Sequence, residues 1–180
     1  MAGYVTRWQH PPAMPRLCPT NGEQALFFAE ALETGVANAD EVVVWADGVI
    51  TETPRPDLAL CEASLMRQKP RAELASTLRL VEGDEPRGAV VRGLLIERLL
   101  SSHTAGKMSA ERLARWVYQD AISDEASWGD FWSEALRYDD ALDLAQQGVH
   151  GDHSVEVSAM LGFLNRVVAR WLQVVDEPAS

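Results

Sequence analysis

The run Val42-Val43-Val44-Trp45 is the most β-prone stretch of the chain, and the way it is read decides the fold class. A half-buried strand alternates apolar and polar residues. Here the apolar positions fall at Val42, Trp45, Ala46 and Val49, the i, i+3, i+4, i+7 spacing of one helical face. Asn38 is a good N-cap, and Glu41 stands three residues later, as in a capping box. β-branched residues lose rotamer freedom in a helix, but the cost is roughly a few tenths of a kcal/mol each and packing offsets it. The spacing predicts a short helix over about 39–48, with Gly48 ending it in a left-handed turn, and leaves a strand as the alternative.

No second candidate strand is available to pair with this run. Residues 22–35 read as a helix stopped by Gly35, and 57–67 as a short helix after the Pro54/Pro56 break. Pro70 suits the first turn of a helix over about 70–81, and the turn GDEPRG precedes another over about 88–102. Ser109 caps a helix that buries Leu113, Trp116, Val117 and Ala121. Ser127 and Asp130 form a capping box for a helix over about 127–147, which Gly148 ends. The last helix, about 153–174, carries Val157, Met160, Leu161, Leu164, Val168, Trp171 and Leu172 on one stripe. The pattern is all-α: a single-domain bundle of about seven or eight helices over 22–175, between an extended Pro-rich arm, 1–21, and a short tail, 176–180.

Composition narrows the function. The first 22 residues carry four prolines and lack the apolar centre of a signal peptide, and no stretch approaches the roughly 20 apolar residues of a membrane span. These features lead to the expectation of a cytoplasmic chain with no membrane association, in which Cys18 and Cys61 are reduced thiols. The formal charge of −11 argues against nucleic-acid binding, which needs a Lys/Arg footprint. The charge also comes in blocks. Residues 1–21 carry +2, 22–62 hold one basic residue against nine acidic, 63–118 ten against six, and 119–180 three against twelve. Either the basic block neutralises its acidic neighbours within the fold, or an acidic face stays open for a basic partner.

Motifs that carry chemistry are scarce. His150, Asp152 and His153 in the loop HGDH could supply two imidazoles and a carboxylate, but a divalent site needs three or four convergent ligands. Asp152 also has a simpler role available, as N-cap of the last helix. There is no nucleophile elbow, P-loop, dinucleotide fingerprint or HExxH helix, and Cys61 on a helix reads as a small buried hydrophobe. No cofactor is implied. Carboxylate pairs such as Asp47/Glu52 and Asp139/Asp140/Asp143 are frequent in a chain with 27 acids and carry no cue for a raised pKa.

The six tryptophans offer a second clue. Trp45, Trp116 and Trp171 fall within apolar stripes and are expected in the core. If 127–147 is one helix, Trp128, Trp132, Asp139 and Asp143 project within about 60° of one another, beside a core stripe of Phe131, Ala135, Tyr138 and Leu142. That edge is either buried indole with solvated carboxylates at its boundary, or a recognition surface in which Trp supplies contact and the acids steer a basic partner.

The stretch AGKMSAERLARWVYQD, residues 105–120, resembles one found in small helical bacterial immunity proteins: a glycine turn, Ser-Ala-Glu opening a helix, then an aromatic-bearing face. The resemblance implies an acidic helical protein that neutralises a toxin, often a basic nuclease, by covering its active site, and it names no binding residues. The expectation is a non-enzymatic interaction protein that binds a basic toxin through Trp128, Trp132, Asp139 and Asp143. The alternatives are a metal-dependent hydrolase using His150, Asp152 and His153, or a structural adaptor whose acidity serves solubility.

Overall fold

The computed structural model describes residues 18–83 and 87–173. Within them the secondary-structure elements are all helical, joined by short loops: α1 (Asn21–Thr34), α2 (Ala39–Glu52), α3 (Leu58–Ser64), α4 (Arg71–Leu78), α5 (Gly88–Thr104), α6 (Ala110–Ser123), the single turn α7 (Glu125–Trp128), a 3-10 turn (Gly129–Phe131), α8 (Trp132–Gln146) and α9 (His153–Trp171). Most of the expected arm, the tail and the centre of the GDEPRG turn lie outside the described residues.

The β-prone run is part of α2. Asn38 caps it by accepting from the Glu41 N–H, and helical geometry turns Val42 and Val43 into the core while Val44 faces solvent. Gly48 does not end the helix, contrary to the sequence reading. It lacks a left-handed φ, and α2 continues through the partly buried Val49 and Ile50 to a cap at Thr53. Gly35, by contrast, adopts φ 76° and stops α1.

A second correction concerns residues 127–147, which are not one helix. Asp124 accepts from the Ser127 N–H and caps the short turn α7, and Gly129 then takes φ 48°, a left-handed conformation that interrupts the helical repeat before α8 begins. The Ser127/Asp130 capping box is replaced by a carboxylate one turn upstream. On α9 the stripe is rotated from the expected one. Phe163 and Val167 are fully buried with Met160 and Leu164, while Val157, Leu161, Val168 and Trp171 pack at the flanks.

Two apolar clusters result. The larger joins α5, α6, α8 and α9 around Leu99, Leu113, Tyr138 and Phe163, and the smaller joins α1 to α4 around Leu32, Val42, Leu74 and Leu78. α1 belongs to both, with Ala31 in one and Leu32 in the other, and Phe28 packs against each.

Candidate functional site

The basic block is largely spent on the acidic blocks to either side. Toward 22–62, Arg87 pairs with Glu23, Arg79 with Glu33, Arg98 with Glu41 and Arg67 with Asp40. Toward 119–180, Arg92 bridges Asp120 and Asp124, and Arg115 lies at 3.4 Å from Asp139 and 3.8 Å from Asp143. The half-exposed Arg79 guanidinium, through its hydrogen bonds, holds the Glu33 carboxyl below its ordinary value. Burial, together with the nearby Asp120 charge, pushes Glu30 up. The electrostatic pattern is thus mainly internal, with arginines of the middle segment tying the two acidic segments together.

Of the four residues of the expected recognition edge, the break at Gly129 sets Trp128 apart, while Trp132, Asp139 and Asp143 stay on one face of α8, turned toward α6. Trp128 is 1% exposed, its indole N–H donates to Asp120 Oδ2 at 2.8 Å, and its rings stack near Phe163 and edge onto Trp171. Trp132 is partly buried and donates to the Ala121 carbonyl at 3.2 Å. Asp139 and Asp143 do lie together, but both face Arg115. The indoles are therefore committed inward, and the carboxylates share a cation of their own chain.

The HGDH loop is likewise occupied by structure. Asp152 accepts from the N–H groups of Ser154 and Val155 and caps α9, and His153 Nε2 lies 2.9 Å from Glu111 Oε1 on α6. His150 is exposed. Among the described residues no group of three or more His, Cys, Asp and Glu is placed to hold a metal ion. Cys18 and Cys61 are both free thiols, the first exposed and the second partly buried.

Two surface features remain that internal pairing does not explain. The first is the outer face of α3, where Leu58 is 82% exposed and Leu65 is 85% exposed, one helical heptad apart, with Glu62 between them. Leu58, Glu62, Leu80 and Glu82 line a common groove with Asp57 and the unpaired Arg55, and neither the Glu62 nor the Glu82 carboxylate has a partner among the described residues. The second is a pair of adjoining clefts where α5 and α6 meet the α1–α2 turn, of about 470 and 360 Å³, which share Thr34, Met108 and Arg112. One is walled by Trp116, Leu99 and Met108; the other is lined by Arg71, Arg98 and Lys107.

Sequence reading missed both. The α3 face is legible in hindsight as Leu58 and Leu65 opposite Ala59, Leu60 and Ala63, whereas the cations come from three separate elements and are marked in sequence only by the basic block. No protein-family description, characterised protein or solved structure matches the chain. No helix among the described residues is long and apolar enough to cross a membrane.

Proposed function

We propose that the chain is a non-enzymatic interaction protein of the toxin-immunity type, which engages a basic protein through the outer face of α3. The observation that supports this reading is the coincidence of Leu58, Leu65 and Leu80, three large apolar side chains open to solvent, with the unpaired carboxylates Glu62 and Glu82, which together with Asp57 outnumber the one cation of the groove, Arg55. Scattered exposed leucines are ordinary, but apolar residues grouped beside unneutralised charge have the composition of an interface. The leucines supply the area that is removed from water on binding, and the carboxylates orient and accelerate the approach of a cationic surface. Among the described residues Asp47 and Glu52 on α2, which packs against α3, are also without cation partners. The expected edge does not carry this reading, because Trp128 is buried and Trp132, Asp139 and Asp143 are engaged by residues of α6.

The test is co-expression of the tagged chain with the products of adjoining reading frames. A complex with a basic protein whose toxicity it suppresses, lost in L58D/E62K while the variant melts like wild type, supports the proposal. No complex, or a complex that the double variant retains in full, overturns it.

A further inference from the structure

Independently of that reading, we propose that the paired clefts between α1, α5 and α6 form a binding site for a small aromatic phosphate monoester. The phosphate is placed among Arg71, Lys107 and Arg112, and the ring against Trp116.

Of the fourteen Lys and Arg side chains among the described residues, nine pair with a carboxylate, and Arg55, Arg71, Lys107, Arg112 and Arg170 do not. Where carboxylates outnumber cations, an unpaired cation is unexpected. Three of these five line one cleft of about 360 Å³. Arg98, a fourth, also faces it, but its guanidinium is held by Glu41 and by the Val36 carbonyl. Glu41, the carboxylate on that wall, is taken up by Arg98 and by the Asn38 amide.

Part of the reason for this gathering is structural. α1 and α5 both end at the cleft, helix C-termini attract cations, and Arg112 donates to the Thr34 carbonyl at 3.3 Å. That single bond leaves most of the donors unspent, since a guanidinium carries five N–H groups and an ammonium three. A phosphate dianion satisfies several of them at once, and guanidinium forks match its geometry.

The adjoining cleft specifies the rest of the ligand. Trp45, Trp128 and Trp132 each spend their indole N–H on a protein acceptor. Trp116 and Trp171 do not, and of these Trp116, partly exposed, lines the cleft with Leu99, Met108 and Arg115, beside the carboxylates Glu33 and Glu111, which Arg79 and His153 take up. A flat apolar ring can stack there, while Arg112, shared by both clefts, stands at the junction where ring and phosphate join. Each cleft falls within the size range of small-molecule sites.

The test titrates the full chain with phenyl phosphate at low salt, reading affinity by calorimetry and the indole N–H resonances by NMR. Inorganic phosphate and phenol serve as the separated halves of the probe. Phenyl phosphate is expected to bind at least about ten-fold more tightly than either half and to shift the Trp116 resonance most. R71Q/K107Q, both exposed positions, is expected to weaken binding about ten-fold or more, whereas R55Q/R170Q, which removes the same charge from unpaired cations elsewhere, leaves it near wild type. Absence of binding, equal loss in the two double variants, or a largest shift at another indole overturns the assignment.

Discussion

Glu23 carries a large and measurable share of the stability. Its side chain is 2% exposed, and Arg87 donates to it twice, Nε to Oε1 at 2.6 Å and Nη2 to Oε2 at 2.8 Å. The backbone N–H groups of Arg87 and Thr20 donate as well, so the carboxylate fastens the start of α5 to the start of α1. Chiefly through the Arg87 side chain, these bonds lower its pKa from 4.5 to about 2. At about 1.4 kcal/mol per tenfold change in proton affinity, that difference is worth about 3 kcal/mol at neutral pH, and screening at the half-exposed guanidinium reduces it to about 2. The folded pKa is depressed, so this contribution is complete above 4.5 and fades as pH falls toward 2. Glu23→Gln preserves shape and one acceptor while removing the charge. Urea unfolding at neutral pH should show a loss of about 2 kcal/mol, and at about pH 3 less than half of that gap should remain between variant and wild type. A gap that is absent at neutral pH, or that widens on acidification, refutes the reasoning.

Three further substitutions test the packing. Trp128→Phe removes the indole donor from Asp120, which keeps Arg92, and opens space beside Phe163 and Trp171, and should cost about 2–4 kcal/mol by chemical denaturation; a loss under about 0.5 kcal/mol would show the indole to be dispensable. Gly48→Ala should stabilise by about 0.5–1 kcal/mol, because the position is helical and a methyl there meets nothing within 4 Å; destabilisation would mean that α2 does stop at Gly48. Gly93→Ala should lower the thermal midpoint with a loss of about 1–3 kcal/mol, since an added Cβ would lie 2.9 Å from Leu172 Cδ2 and 3.4 Å from Trp171 Cβ, and an unchanged midpoint would show that the end of α9 yields freely.

The sequence by itself determined the all-α class and most helix boundaries, because both follow from local physics. Apolar spacing overrode β-propensity at Val42–Val44, and caps such as Asn38, Asp57, Ser109 and Asp152 accept from the N–H groups of their own next turn. It also offered the neutralisation of the acidic blocks as one of two outcomes. Only the tertiary structure decided what depends on neighbours far along the chain. Gly48 was a stop signal in isolation, yet α2 runs through it. The turn at Gly129 follows from Asp124, which both caps α7 and meets Arg92 of α5, and that turn sends Trp128 inward to Asp120 instead of leaving it in line with Asp139 and Asp143. The meeting of Arg71, Lys107 and Arg112 in one cleft was equally invisible, because they are 36 and 41 positions apart from the first and periodicity reports only which residues share a face of one helix.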